Sequence, residues 1–260
     1  MARVLSLHCS EVACAGAQIL GDRDEQQDDL GGGVSEIDGE PGLFLALADG
    51  MGGHAGGALA ARLAIEGALT GFAAPRRNTP ARLRAALATA NQAIADAKAE
   101  QPLQYSGMGC TLVLAAITGG GVWYLSVGDS LLLLAEGWRL RRLNADHSFA
   151  PLVDEMVREG RLTREQGARD PRRHQLRAAL TGEPIAMVDA PDEPVSFPPG
   201  ARVVLASDGV EAAPHDAVSA TLGADMPPDQ QVQALLDAAR QGRAQYLDNT
   251  SVIVCAREKA

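Results

Sequence analysis

Residues 111–135 run Thr111-Leu-Val-Leu-Ala-Ala-Ile117, a Thr118-Gly-Gly-Gly121 break, Val122-Trp-Tyr-Leu-Ser-Val127, a Gly128-Asp-Ser130 break, and Leu131-Leu-Leu-Leu-Ala135. Short apolar runs bounded by glycine-containing turns are the pattern of strands joined by hairpins. The stretch therefore predicts an antiparallel meander. Leu43–Ala48 and Val203–Ala206 are further runs of buried-strand type; the first stops at Asp49-Gly50 and the second at Ser207-Asp208-Gly209. A last strand over 251–256 is entered from Asp248-Asn249.

Helical patterns lie between these runs. Residues 55–72 are rich in Ala and Leu, and Leu83, Leu87, Ala90, Ile94 and Ala97 recur at helical spacing over 80–99. Thr79 is read as the N-cap of that second helix, with Pro80 at its first position. A further helix is expected over 229–241. Residues 150–180 are rich in Arg and Glu, with two short helical patterns and no strand signal, and predict a surface excursion. No linker, repeat or low-complexity tract divides residues 1–260, so one domain is expected. The order of elements lacks the regular strand–helix alternation of a doubly wound sheet. The fold class is α+β, a sandwich of antiparallel sheets covered by helices.

Composition narrows the function. At 46% hydrophobic and 22% charged, the 260 residues are neither a disordered tail nor a membrane bundle. Aromatics are only 3%, which leaves the core to Ala, Leu, Val and Ile and gives no stacking platform for single-stranded nucleic acid. The net charge of -10 repels nucleic-acid and anionic membrane surfaces. Twenty-one of the 23 basic residues are Arg, as GC-rich bacterial coding produces. Cys9, Cys14, Cys110 and Cys255 lack metal-binding spacing and read as reduced thiols packed as small hydrophobes. His8 and Glu11 interrupt the N-terminal apolar stretch, and no run reaches the roughly 20 apolar residues of a membrane span. A cytoplasmic location is expected.

Aspartates recur at the strand boundaries: Asp49 before Gly50, Asp129 after Gly128, Asp208 before Gly209, and Asp248 before the last strand. Strand ends are rigid mounts, and an adjacent glycine lets the backbone approach an ion closely. Carboxylates converging there would repel one another without a divalent cation, and oxygen-only ligands point to Mg²⁺ or Mn²⁺. The plain alternative is turn chemistry, since Asp-Gly is a favoured turn dipeptide. Two other motifs fail on context. Gly50-Met-Gly-Gly-His-Ala55 spells G-x-G-x-x-A, but Asp49 would face the pyrophosphate and no acid-ended strand follows about 20 residues on. Gly128-Asp-Ser-Leu131 spells the nucleophile block of GDSL-type esterases, but it is not near the N-terminus and no D-x-x-H accompanies it.

Seven blocks, in order, resemble the metal-dependent protein serine/threonine phosphatases of the PPM type (phosphatase 2C-like) in their bacterial form. Arg23-Asp-Glu-Gln-Gln-Asp28 resembles R-x-x-N-E-D, and Asp49-Gly-Met-Gly-Gly-His54 resembles D-G-M-G-G-H. Gly107-Met-Gly-Cys-Thr111 resembles G-M-G-T-T, Val127-Gly-Asp-Ser130 resembles V-G-D-S, and Asp146-His-Ser148 resembles D-H-S. Ser207-Asp-Gly209 resembles S-D-G, and Asp248-Asn249 opens the closing D-N-x-T-like block.

The resemblance implies an αββα sandwich with a two-metal Mn²⁺ or Mg²⁺ site and, in bacterial members, a third ion. It implies that Asp49 bridges both metals, that the Gly50 carbonyl binds one of them, and that Asp208 and Asp248 hold the other. Asp129 with Asp208 would form the third site. Arg23 would grip the substrate phosphate, and Asp28 would orient a metal-bound water, with Gln27 and Asn249 behind the ligands. The 150–180 excursion would be a flap shaping substrate access. The implied activity is hydrolysis of phosphoserine and phosphothreonine by a metal-bridging water. Its substrate would be a phosphorylated protein made by a bacterial serine/threonine kinase, and the enzyme a monomer. Alternatives are a PPM-fold module that has lost catalysis, and a small-molecule phosphomonoesterase.

The chain departs from the pattern at several places. Gln27 stands for Glu, Leu131 for an Arg after G-D-S, and Cys110 for Thr. Met51 follows Asp-Gly where members outside bacteria carry His, which leaves His54 as a candidate general acid or as a structural histidine.

Overall fold

The structure, a computed structural model, describes residues 4–52, 54–242 and 246–259, apart from the side chains of residues 54 and 55. It begins with four strands: β1 (Val4–Cys9), β2 (Val12–Ile19), β3 (Asp28–Ile37) and β4 (Glu40–Met51). Helices α1 (His54–Ala73), α2 (Thr79–Glu100) and the short α3 (Pro102–Tyr105) follow. After them come β5 (Gly109–Cys110), β6 (Leu112–Thr118), β7 (Gly121–Val127), β8 (Leu131–Glu136) and β9 (Arg139–Arg142). The 150–180 stretch holds α4 (Ala150–Arg158), α5 (Arg164–Ala168) and a 3-10 turn over Pro171–His174. The chain then returns through β10 (Arg202–Ala206), α6 (His215–Gly223), α7 (Pro228–Arg240) and β11 (Thr250–Arg257).

The strands form two antiparallel sheets. One has the order β1-β2-β11-β10-β8-β9, and the other β3-β4-β6-β7 with β5 paired to β4. Side chains alternate across a strand, and here each face has its own core. Leu43, Leu45 and Leu47 of β4 point into the layer between the sheets, where they meet Leu132, Leu134, Val203, Leu205 and Ile253. Phe44, Ala46 and Ala48 point the other way, onto α1 and α2. Leu131 and Leu133, with Val204, Ala206, Val252 and Val254, pack outward against α6 and α7. Both faces of the central strands are covered, which is why they read as unbroken apolar runs rather than alternating ones. The architecture is the expected αββα sandwich.

Three local expectations are corrected. The meander stops after two strands: β6 pairs with β7, but β8 joins the opposite sheet beside β10. At Gly128 the backbone takes φ +102°, and a Cβ there would lie 2.6 Å from Thr111 Cγ2. Glycine thus lets the chain cross between sheets instead of turning back. Asp49-Gly50 is not a turn, because β4 continues to Met51, with Asp49 paired to Asp28 and Gly50 to Cys110. The N-cap of α2 is Asn78, whose side chain accepts from Ala81 N; Thr79 is already helical. All four cysteines are free and buried, as expected. Among the described residues no helix is long and apolar enough to cross a membrane.

Candidate metal centre

At one end of the sandwich the sheets open into a cleft of about 1110 Å³, lined by Arg23, Gln27, Asp49, Gly50, Asp129, Asp208 and Asp248 among others. The acids are delivered by different elements. Asp28 and Asp49 are direct cross-strand partners on β3 and β4. Like charges placed opposite one another in this way destabilise a sheet. Asp129 rides the Gly128–Ser130 crossover between the sheets. Asp208 follows β10, and Asp248 precedes β11.

The backbone around them is closely braced. Thr111 N donates to Asp49 O at 2.8 Å, and Thr111 Oγ1 accepts from Asp49 N at 3.0 Å. The Thr111 hydroxyl also pairs with the buried Ser130 hydroxyl at 2.7 Å, which ties β4 to the crossover. Arg142 Nη2 donates to the carbonyl of Asp129 at 2.7 Å. Gly50 N donates to Gln27 O, and a Cβ on Gly50 would sit 2.2 Å from the carbonyl oxygen of Gly57 in α1, so no side chain fits. Buried Asn249 accepts from Gln27 N and donates to Leu20 O, both at 2.8 Å, which fastens the 20–28 segment to the start of β11.

The electrostatics show what this packing costs. Burial pushes the Asp28 carboxyl up to about 7; the Ser251 and Ser207 hydroxyls oppose the rise, and Asp208 and Asp248 add to it. Ser207 donates to Asp28 Oδ2 at 2.8 Å, while Oδ1 is buried with no hydrogen-bond partner. Burial, then Asp28, Asp208, Asp129 and Asp248, hold Asp49 well above the ordinary carboxylate range. Asp129 is pushed up to about 7, by burial first and then by Asp208 and Asp146. Asp208 is raised by burial and Asp248, against the pull of His174 and Arg23. The acids are therefore short of positive charge.

That deficit and the donor chemistry suit a hard divalent cation. The set is all oxygen, with neither His nor Cys, as Mg²⁺ and Mn²⁺ prefer. Among the described residues no three His, Cys, Asp or Glu side chains form a compact cage. The acids instead line an open basin.

The structure thus gathers Arg23, Gln27, Asp28, Asp49, Gly50, Asp129, Asp208, Asp248 and Asn249 at one end of the sandwich. The side chain of His54, the candidate general acid, lies outside the described residues. Arg23 is not free to meet a phosphate in this arrangement. Its Nε and Nη2 donate to Asp248 Oδ1 and Oδ2, each at 2.6 Å, and its guanidinium lies 5.5 Å from the Tyr246 ring centroid. The Gln27 amide packs against Gly57, in the N-terminal part of α1. Leu131 belongs to the outer core, so no side chain reaches the cleft from the position where the pattern has Arg.

Sequence reading missed the Thr111–Ser130 brace, Tyr246, Arg142 and His174. Thr111 and Ser130 lie in matched blocks and were legible in principle. The others are brought in by tertiary packing alone.

The sequence model of the protein phosphatase 2C family matches residues 15–241. Serine/threonine protein phosphatase PstP of Mycobacterium tuberculosis is 36% identical over 168 residues, covering 64% of this chain and 31% of its own. The chain thus matches about a third of that relative's length. Serine/threonine phosphatase stp of Listeria monocytogenes is 32% identical over 188 residues, covering 70% of this chain and 71% of its own. The crystal structure of the catalytic domain of PstP in complex with two manganese ions superposes with a TM-score of 0.75 at 29% identity, covering 94% of this chain and 97% of that one. The match runs from β2 past the end of α7, through both sheets and the cleft between their ends, and the chain belongs to the protein phosphatase 2C family.

Proposed function

We propose that the protein is a Mn²⁺- or Mg²⁺-dependent phosphoprotein phosphatase acting on phosphoserine and phosphothreonine. The observation that carries this reading is the convergence of Asp49, Asp129, Asp208 and Asp248 on one cleft, with Asp28 buried behind them and the carboxyls of Asp28, Asp49, Asp129 and Asp208 all raised above the ordinary range. Asp49 and the Gly50 carbonyl would hold one ion, Asp49 with Asp208 and Asp248 a second, and Asp129 with Asp208 a third. When bound, the ions supply positive charge for the phosphate and a water acidic enough to attack at neutral pH.

The chain's own groups do the rest. Asp28, held by Ser207, would orient a metal-bound water from behind the ligands. Arg23, once released from Asp248, would offer a planar pair of donors matched to a phosphate edge. Asn249 keeps the segment carrying Arg23 and Asp28 in register with Asp248. The same reading takes residues 1–260 as one domain with 150–180 as a flap. It also takes the protein as a cytoplasmic monomer that reverses a bacterial serine/threonine kinase. Retention of all five acids and Arg23 favours catalysis over a lapsed binding module.

The test is hydrolysis of a phosphothreonine peptide with and without Mn²⁺, beside a phosphotyrosine peptide and free nucleotides. Metal-dependent release of phosphate from phosphothreonine above the others supports the reading. A preference for nucleotides would move it to small-molecule phosphomonoesters.

A further inference from the structure

Most flap arginines are spent on flap carboxylates. Arg158 pairs with Glu155, Arg161 with Glu159, Arg169 with Glu165, Arg172 with Asp170 and Arg173 with Asp154. Two, Arg164 and Arg177, have no carboxylate partner among the described residues, and of these only Arg177 lines the metal-site cleft.

Its mount is rigid. Arg177 N donates to His147 O at 2.7 Å, and Ser148 bridges Leu176. Three residues on, Leu180 exchanges both backbone hydrogen bonds with Cys110, whose strand partner is Gly50. Ala178 and Leu180 are buried, while Arg177 itself is exposed. A fixed backbone thus holds an unpaired, solvated guanidinium over the wall of the cleft. The cleft is also lined by exposed Asp24 and Glu25, from the segment that carries Arg23. The flap thus contributes a cation to the cleft, and a separate segment contributes two exposed carboxylates.

We infer that Arg177 is a specificity-determining residue that selects phosphopeptides bearing a carboxylate side chain close to the phosphorylated residue, on the side facing the flap. This rests on the phosphoprotein reading above. Under that reading the phosphate is already matched by the ions and Arg23, so the anion left for Arg177 belongs to the peptide. Asp24 and Glu25, on a separate segment of the lining, repel the same carboxylate, which gives the preference a direction along the peptide.

The experiment compares kcat/KM for a phosphothreonine peptide series in which one Glu is moved through the flanking positions with the matching Gln series, alongside p-nitrophenyl phosphate. Wild type should favour one Glu position by about tenfold, mainly through KM, the size of a charge-assisted hydrogen bond. Arg177→Gln should bring that ratio near one, and Arg177→Lys should keep part of it. The ratio is internal to each variant, so a general loss of folded protein does not move it. Equal rates for Glu and Gln peptides with wild type would overturn the inference and leave the phosphatase reading standing. A drop in Arg177→Gln that is the same for every peptide and for p-nitrophenyl phosphate would also overturn it, since Arg177 would then serve the phosphate. Hydrolysis of p-nitrophenyl phosphate with no peptide cleaved would sink the phosphoprotein reading and the inference together.

Discussion

The guanidinium of Arg23 grips both carboxylate oxygens of Asp248, two bonds of 2.6 Å each. These are the oxygens that the proposed function assigns to a metal ion, and the same donors are those it assigns to the phosphate. The two assignments hold together only if the ion and Arg23 exchange places on Asp248.

Arg23→Ala should therefore lower kcat/KM for phosphopeptides by about tenfold to a hundredfold, the span of charge-assisted hydrogen bonds. It should leave Mn²⁺ affinity equal to or higher than that of wild type, because a competing cation is gone. Calorimetric titration of Mn²⁺ beside peptide kinetics measures both. A marked loss of metal affinity would make Arg23 a scaffold for Asp248 and not a phosphate ligand.

Asp49→Asn and Asp208→Asn should each cost at least about a hundredfold in Mn²⁺-dependent turnover. Each removes one charge from a crowded set, so thermal stability in chelator should hold steady or rise. Melting curves and p-nitrophenyl phosphate assays on the same preparations separate the two effects. Either variant retaining most of its activity at saturating Mn²⁺ would remove the metal reading.

The raised carboxyls of Asp28 and Asp129, both at about 7, fix a pH signature. A carboxyl whose folded value lies above its unfolded one binds more protons in the folded state. Its stabilising contribution is complete below about pH 4 and is lost as pH climbs through 7. In chelator the midpoint of unfolding should fall by a few degrees between pH 5 and pH 8. Saturating Mn²⁺ should flatten that slope, because it stabilises the ionised forms. A midpoint that rises over this interval in chelator would contradict the buried-acid picture.

Gln27→Glu should lower the Mn²⁺ concentration needed for half-maximal activity. Its amide packs against the N-terminal part of α1, where a carboxylate is favoured by the helix dipole, so the added charge should cost little in folding. Cation activation curves for the two proteins are the measurement. Superimposable curves would mean that neighbours such as Glu25 already compensate for the amide.

What the sequence disclosed follows the physics of burial. Strands β4, β6, β7, β10 and β11 were legible because both their faces are covered, which leaves continuous apolar runs. Strands β1, β2 and β3 were not. β1 is a sheet-edge strand with mixed exposure, β2 is built of small residues, and β3 carries Gly31-Gly32-Gly33, a tract with poor strand propensity. The jump between sheets at Gly128 was read as a hairpin, since a short Gly-Asp-Ser link looks alike in either role. The acids after β10 and before β11 were visible as punctuation. The pairing of Asp28 with Asp49 was not, because strand register is set by non-local contacts. His174 and Arg142 enter through the flap and the crossover brace, and neither signal exists in local sequence.

The staple made by Asn249 joins residue 20 and residue 27 to the start of β11, and β11 lies between β2 and β10 in its sheet. During vectorial synthesis, then, the first strands must wait for the last one. A ribosome-bound chain that stops short of β11 has its amino-terminal hairpin unjoined and one of its acids missing. Such long-range closure is slow to form, and until β11 has joined the sheet the 20–28 segment lacks the partner that fixes Arg23 and Asp28 beside Asp248.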